Sequence, residues 1–451
     1  MTAIGALVFL GTVVIILGET FCLSARHFSE ASIINYFTGD FILFSAASKE
    51  KPSPFSFTTP LPLIAQPRAI EAWLDTKGLV ASYVSIAQNY GLLSIDKNGR
   101  KTEVPFIFYA VDPARYIATF PNIAVVKGSF LAGQSGNAAA GVVLSEFQRA
   151  IYAKNYNVDC DPGDPVTLLS LTDGGSVNAY PSHIVGIYEP KFYKNVFKYI
   201  NFLDITSYSR LYNFTGVDTA SLPKNFNDAL ASGSDEDIYG LADKKDFGLI
   251  DTRLLVSREL TGYTMIAVKL RNGGDATSFI GSLTKAGFAV KAANWKNASG
   301  FFASVAVIIQ SIIYGATFLI FLIVVFILMN TLIIGVLERT AEIGTLRAMG
   351  GEKGFITVIF LWESAILNGA AAFVGIIFSI SFILTLKHTG GIRLPDVMAQ
   401  YLVGGGPLAM LLSVRPFVEA IGVVLVVSVA ATLYPIGVAV KISPLKAMSS
   451  K

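Results

Sequence analysis

The sequence predicts an α-helical membrane protein with four transmembrane helices plus a large external α+β domain. Three observations predict it. The chain is 53% hydrophobic with a mean hydropathy of +0.56, a balance that points to a membrane protein. Its apolar residues gather in four runs nearly free of charge: Ala3–Leu23, Phe301–Leu337, Phe355–Leu386 and Phe417–Val440. Each run reaches the ~20 residues that a helix needs to cross a ~30 Å hydrocarbon core. Between the first two lies a segment of ordinary soluble composition, with charges of both signs, Gly/Asp/Asn turns and enough length to bury one or two small cores.

The expected division follows in chain order. Residues 1–25 form the first span and 26–300 the external domain. Residues 301–337 form a stalk and second span, and 338–354 a short charged connection. Residues 355–386 form the third span, 387–416 an external loop, 417–440 the fourth span and 441–451 a tail. The first run lacks the positive n-region of a secretory signal. Phe21, just before Cys22, stands where a lipoprotein signal carries a small residue, so an uncleaved span is expected. Arg339, Arg347 and Lys353 in the connection, with Lys441, Lys446 and Lys451 in the tail, place both on the cytoplasmic side. Residues 26–300 and 387–416 then face outward. Against the rule, no Lys or Arg precedes the first span, while Arg26 follows it.

As a helix, the run Phe301–Leu337 would measure ~55 Å at ~1.5 Å per residue, far more than the bilayer core. Its N-terminal half is the more polar, with Ser304, Gln310, Ser311 and Tyr314. It is expected to leave the membrane as a stalk; the alternative is a span preceded by a separate interfacial helix. Gly369, Gly375 and the small residues between them suit close helix packing.

Two strand–helix–strand units frame the external domain. In the first, Asp40–Phe44 is strand-like, a Pro-rich connection follows, Ala69–Thr76 is helical, Gly78 stops it, and Leu79–Ile86 is a strand. In the second, Tyr263–Leu270 is a strand, Asn272-Gly273-Gly274 a turn and Asp275 an N-cap. Ala276–Lys285 is a helix ended by Gly287, and Phe288–Ala292 returns as a strand. Together they predict a ferredoxin-like porter-type layer from residues 26–100 and 250–300. Residues 101–249 are an inserted β-rich subdomain, with strands at Val104–Ala110, Gly141–Leu144, Pro165–Leu171 and His183–Tyr188 and a helix at Ser145–Asn155. Gly233–Asp237 and Lys244–Asp246 are expected to be exposed loops.

Several chemistries find no support. A net charge of +3 gives a nucleic-acid partner no electrostatic help. No G-x4-G-K-[ST] run is present to cradle phosphates, and no G-x-S-x-G. Gly133-Gln134-Ser135-Gly136 is only a turn. His27, His183 and His388 lie at no ligand spacing. Asp159, Asp161 and Asp164 are interrupted by Pro162 and followed by Pro165, which breaks an EF-hand pattern; they are expected to be an acidic turn before a strand. Cys22 and Cys160 make neither a disulfide framework nor a metal site, although a single bridge stays open. No cofactor or metal is expected in this chain, and no catalytic residue.

The connection is the most informative stretch. Glu338-Arg339-Thr340-Ala341-Glu342-Ile343-Gly344-Thr345-Leu346-Arg347-Ala348-Met349-Gly350 resembles the E-R-x-x-E-I-G-x-L-R-A-x-G signature of MacB/FtsX/LolCE-type (type VII) ABC transporter permeases. The tail, Leu433-Tyr434-Pro435 with Ile442-Ser443-Pro444-Leu445-Lys446-Ala447-Met448, resembles that family's closing Y-P-x-x-x-A-x-x-x-x-P-x-x-A-L pattern. Val111-Asp112-Pro113, Lys127-Gly128 and Val142–Leu144 followed by Pro162-Gly163-Asp164 match looser external landmarks in order.

The resemblance implies a bacterial inner-membrane permease with a periplasmic domain. It would pair with a second permease, as homodimer or heterodimer, and bind cytoplasmic ATPase subunits that hold ATP and Mg²⁺. The signature would be the coupling helix that docks on the ATPase, through Glu338, Arg339, Glu342, Ile343, Gly344, Leu346, Arg347 and Gly350. ATP-driven closure would move the external parts, the mode called mechanotransmission. The physical reading is compatible: Ile343, Leu346 and Gly350 fall on one helical face, acidic residues lie near the N-terminus, and Arg347 lies nearer the C-terminus as the helix dipole favours. A surface-lying juxtamembrane helix without a partner is the plainer alternative. In the tail, Lys441 and Lys446 would equally suit anionic membrane lipid.

Two departures stand out. The family's basic amphipathic helix before the first span is missing, since Met1 starts almost in the span; either the chain is short or that helix is lost. The stretch Leu171–His183 is short where lipoprotein-releasing permeases carry a Pro-rich hook for a periplasmic carrier. Extraction of lipoproteins from the outer leaflet is the first functional reading, supported by Trp295-Lys296-Asn297 just before the stalk, which resembles the LolC/LolE pattern. Export of peptides or drugs through an adaptor and an outer-membrane duct, as in MacB, is the second. An FtsX-like regulatory transducer is the third; its external domain is much smaller than the one expected here.

Overall fold

A computed structural model describes residues 2–52, 61–97, 99–131, 141–171, 177–212, 215–217, 224, 226, 228, 257–259, 262–271, 275–338, 340–350 and 352–441. The chain forms two compact units. One joins Met1–Glu30 to Phe301–Lys451, and the other is Ala31–Gly300.

The first helix, α1, runs Thr2–Ile33 and passes into a π-helical turn at Ile34–Thr38. The expected span of residues 1–25 is therefore only part of a longer helix. Gly39 ends it at φ +67, where a Cβ would lie 2.5 Å from the Val268 carbonyl oxygen. Only glycine fits that left-handed, crowded position.

In the external unit, β1 is Phe41–Ser45, α2 Pro67–Asp75, β2 Val80–Lys97 and β3 Arg100–Val111. Then come α3 at Pro113–Thr119, β4 at Ile123–Gly128, β5 at Val142–Ser145, α4 at Glu146–Tyr156, β6 at Pro165–Leu171 and β7 at Val177–Pro190. The series continues with α5 at Lys194–Phe197, β8 at Asn201–Asp204, α6 at Ile205–Leu211, β9 at Thr215–Val217 and β10 at Ser257–Glu259. It closes with β11 at Met265–Leu270, α7 at Ala276–Ala286, β12 at Val290–Asn294 and α8 at Trp295–Ala298.

Local chemistry sets these boundaries. The Asp112, Ser145, Asp204 and Asp275 side chains each accept a backbone N–H at the start of α3, α4, α6 and α7. Gly287 at φ +71 ends α7 as expected. Thr76, not Gly78, caps α2, because the Thr76 hydroxyl donates to the Trp73 carbonyl at 2.6 Å. The expected turn at 272–274, the turn at 133–136 and the loops at 233–237 and 244–246 lie outside the described residues.

Ten strands form one sheet, in the order β12-β1-β11-β2-β3-β8-β5-β7-β4, with β6 pairing both β2 and β7. Strand β2 is twice the expected length because two partners share it. Ile86 and the residues before it pair with β11, whereas Leu92–Ile95 pair with β6. All along Ile86–Lys97 the other edge of β2 is held by β3. The pairings β2–β3–β8–β5–β7–β6–β2 return on themselves, which satisfies the backbone groups of the inserted region without an open edge in that circuit.

Two cores accompany this sheet. Phe41, Leu43, Ile70, Leu74, Ile266, Val268, Phe279 and Leu283 fill one, between the first strands and helices α2 and α7. Leu93, Ile95, Val104, Phe106, Phe108, Leu144, Leu168 and Leu203 fill the other. A further aromatic group centres on Phe202, whose ring meets Tyr116 at 4.8 Å, Phe130 at 5.0 Å and Tyr188 at 5.1 Å.

In the other unit, α9 spans Phe301–Glu338, α10 Thr340–Ala348, α11 Lys353–His388, α12 Asp396–Val403 and α13 Arg415–Lys441. Helix α9 is unbroken over its 38 residues, ~57 Å at ~1.5 Å per residue, so the expected stalk and span are one continuous helix. Among the described residues, two helical stretches are long and apolar enough to cross a membrane, Gly5–Thr38 and Ala365–His388. Gly375 of α11 lies against α1, where a Cβ would meet Thr12 Cβ at 3.1 Å and the Phe9 carbonyl oxygen at 3.2 Å. Gly369, by contrast, faces open space, so of the two glycines only Gly375 serves the packing that both were expected to serve. Cys22 and Cys160 are buried free thiols, which removes the bridge.

Candidate functional site

The charged connection is a built structure. Helix α9 ends at Glu338, and the Thr340 hydroxyl donates to the Leu337 carbonyl at 2.6 Å as α10 begins. Helix α10 stops where Met349 N–H reaches the Thr345 carbonyl at 3.0 Å. Gly350 follows at φ +92, a left-handed conformation that ends a helix cheaply only with glycine. Glu352 is extended and precedes α11.

Of the expected docking residues, Gly350 lies beyond the helix in a left-handed turn. Leu346 is half-buried and Gly344 is buried, so neither offers an open approach to a partner backbone. Exposed here are Gly350, Glu338, Glu342, Thr345 and Met349. The last three stand at i, i+3 and i+7 and form one stripe on α10. Arg339 and the side chains of Ile343 and Arg347 lie outside the described residues. Thr345 and Met349 were not singled out from the sequence. The signal was available: an apolar Met follows a charged run on the face that Glu342 and Thr345 keep polar.

The remaining candidate chemistry resolves into structure. Among the described residues no group of three or more His, Cys, Asp or Glu is placed to hold a metal. Asp161 is paired with Lys127 at 3.0 Å and Arg149 at 3.3 Å, Asp159 with Arg149 at 3.0 Å, and Asp164 with Lys97 at 2.9 Å. Lys127 and Arg149 hold the Asp161 carboxyl below the usual carboxylate range. These residues are the acidic turn before β6.

Outside the connection, α9, α11 and α13 carry exposed Phe318, Leu319, Phe326, Phe373, Val374, Leu425 and Val426. So many large exposed apolar side chains on three helices call for lipid or another protein as cover. Thr12 and Ser379 turn their hydroxyls onto the Val8 and Gly375 carbonyls of their own helices, as hydroxyls do in an apolar medium.

Long apolar helices joined by a short charged connection, with a large α+β unit between the first two, are the layout of a membrane protein with an external domain. Residues 314–444 match the family described as FtsX-like permease C-terminal, a stretch that holds the signature run and the helices around it. That match lies on the part of the chain that carries the resemblance to type VII (MacB/FtsX/LolCE-type) ABC transporter permeases. The chain is 28% identical over 163 residues to the lipoprotein-releasing system transmembrane protein LolE of Haemophilus influenzae, covering 35% of this chain and 39% of that protein. The chain thus spans well under two thirds of the relative it matches.

Solved structures similar to it include the periplasmic region of MacB from Actinobacillus actinomycetemcomitans, at 11% identity and a TM-score of 0.33, over 58% of this chain and 92% of that one. The extracellular domain of the noncanonic ABC-type transporter YknZ from Gram-positive bacteria is also similar, at 11% identity and a TM-score of 0.28, over 56% of this chain and 99% of that one.

Proposed function

We propose that this chain is the non-catalytic membrane subunit of an ATP-driven mechanotransmission transporter that extracts lipoproteins from the outer leaflet of a bacterial inner membrane. The observation that carries the reading is α10, a short helix with an exposed Glu342–Thr345–Met349 stripe between two long apolar helices. A handle of that size has no core of its own and suits a grip by a cytoplasmic ATPase, which would hold the ATP and Mg²⁺. Four spans, α1, α9, α11 and α13, would place both chain ends inside and the 31–300 unit in the periplasm. The exposed apolar side chains of α9, α11 and α13 support lipid and a second permease as neighbours.

The external unit supports the porter reading. Its two strand–helix–strand units, β1-α2-β2 and β11-α7-β12, interleave as β12-β1-β11-β2 with antiparallel neighbours. That is the order of a ferredoxin-like layer split by an insertion. The likeness to the lipoprotein-releasing protein LolE favours lipoprotein as the load.

The test is to purify the chain from its own cells and analyse what comes with it. The ATPase and a triacylated protein should co-purify, and Arg347→Glu or Met349→Asp should release the ATPase. An ATPase retained equally by both variants would remove α10 as the handle. Co-purification of an adaptor and duct in place of a lipoprotein would replace the load but keep the handle.

A further inference from the structure

The connection between α11 and α13 is the least expected part of the helical unit. It was expected to be a loop, and it is a folded collar. Phe21, Ala25 and Phe28 of α1 pack with Ile392, Leu394, Ala399, Val403 and Leu408. The Leu411 N–H donates to the Ser24 hydroxyl at 2.8 Å. Ile392 and Leu408 exchange backbone hydrogen bonds at 2.8 and 2.9 Å. Gly391, at φ +92, leaves a Cβ only 2.6 Å from the Leu408 carbonyl oxygen, so the closure depends on glycine.

The level of this collar along α1 can be read from its neighbours. Ile16 packs with Ile383 and Leu386 in the last turns of α11 and with Phe417 and Ala420 in the first turns of α13. One turn further along, Glu19 accepts a hydrogen bond from Tyr314 of α9 at 3.3 Å. Lys387, His388 and Arg415 mark the helix ends. The collar therefore lies level with the last turns of α11 and the first turns of α13, the helix ends that the spanning reading puts outside.

The inward face of the collar is used up on α1, and its exposed residues include four large apolar side chains, with Asp396 beside Val397. Val397 is 64% exposed, Met398 41%, Leu412 51% and Val414 75%. Exposed Arg393 comes shortly before Val397, exposed Lys387 lies in the last turn of α11, and exposed Arg415, paired with Glu419, follows Val414. Apolar side chains flanked by basic ones, on an element tied to two membrane helices, match the boundary between acyl chains and phosphate headgroups. We propose that residues 389–414 form a membrane-surface binding collar. Val397, Met398, Leu412 and Val414 enter the outer leaflet at headgroup depth, and Lys387 and Arg393 meet lipid phosphates. The assignment rests on the membrane-spanning reading of α11 given above. It adds a lipid-contact surface at the place where α1 leaves the bilayer.

The test uses the full chain carrying Cys22→Ala and Cys160→Ala, with single cysteines at Val397, Val414, Ile377 and Val177. Each is labelled with an environment-sensitive fluorophore. The labelled proteins are reconstituted in phosphatidylethanolamine–phosphatidylglycerol vesicles carrying a quencher either near the headgroup or at the acyl-chain end. Probes at Val397 and Val414 should lose emission to the headgroup-level quencher, keep it with the chain-end quencher and resist aqueous iodide. Val177, exposed on β7, should respond to iodide alone, and Ile377, exposed within α11, to the chain-end quencher. A Val397 probe open to iodide and untouched by lipid quenchers overturns the collar as a lipid surface. A Val397 probe shielded from both is covered by protein, such as a second copy, and overturns it equally. If Ile377 also escapes the chain-end quencher, the spanning reading has failed and the collar falls with it.

Discussion

The ring of Tyr36 lies flat on the ring of Phe192, with centroids 4.0 Å apart and planes 15° from parallel. The next residue, Phe37, meets Phe197 edge-on at 5.4 Å. Residues that follow α1 in the chain are therefore held by a turn far along the sequence, in the inserted region. That turn is itself tightly shaped, since Tyr193 adopts φ +50. The grip bypasses β1, the strand to which the π-helical turn leads directly.

This stack should behave as a coupled pair. In a double-mutant cycle of Tyr36→Ala and Phe192→Ala, the coupling energy should be about 0.5–1.5 kcal/mol, the usual worth of an aromatic pair beyond its buried area. Denaturant unfolding of the external unit, followed through Trp73 and Trp295, reads it. A coupling near zero would mean that the two rings are merely adjacent.

The sequence showed which segments pair more clearly than how far they extend. The strands and helices that frame the external unit were legible because capping residues such as Asp275 and Gly287 mark their ends. Strand β2 runs past the expected end at Ile86 as far as Lys97. What keeps it extended is β3, bonded along its whole edge, a tertiary cause that no local pattern carries. The π-helical turn was hidden because Ile34-Asn35-Tyr36-Phe37 has ordinary helical composition. On α10 the motif was legible but its open face was not, since the sequence does not reveal that Gly350 leaves the helix.

Gly375 and Gly369 make opposite predictions within one helix. Gly375→Val would press a branched side chain into Thr12 and the Phe9 carbonyl and push α1 from α11. Overpacking of this kind costs about 1–3 kcal/mol, and the backbone oxygen leaves little room for relief. Gly369→Val meets nothing within 4 Å and should be neutral or better. Thermal unfolding in detergent separates the two. Equal losses would mean that helix propensity, not packing, governs both sites.

Lys269 predicts a pH dependence. Its ammonium donates to the Asn35 carbonyl at 3.0 Å and the Thr119 carbonyl at 2.7 Å. Burial pushes it from 10.5 down to about 8, against the pull of Asp40. Between about pH 8 and 10.5 the unfolded chain holds a proton that the folded one has released. Stability should therefore rise with pH across that window, because the cost of burying the charge is lifted as the folded amine loses it. Lys269→Arg stays charged throughout and should lack this rise. Subtracting the variant's stability-versus-pH curve from the parent's isolates the group, and a flat difference between pH 8 and 10.5 would contradict the assignment.

Arg149 ties the start of α4 to the acidic turn before β6. Its Nε donates to the Cys160 carbonyl at 2.7 Å, while its two terminal nitrogens reach Glu146 at 3.3 Å, Asp159 at 3.0 Å and Asp161 at 3.3 Å. The three carboxylates are substantially exposed, so each ion pair is worth about 0–1 kcal/mol and screened by salt. The bond to the backbone carbonyl is different: it is charge-assisted, part-buried and fixed by the planar guanidinium. Arg149→Met should therefore cost about 1.5–3 kcal/mol, the worth of a hydrogen bond to a charged group, and most of the loss should persist at ~1 M salt. Arg149→Lys keeps the charge but loses the fork, so it should recover only the salt-sensitive part. Unfolding midpoints of the three proteins at low and high salt measure both contributions. A full rescue by lysine would mean that charge alone holds the turn, and that the Cys160 contact adds nothing.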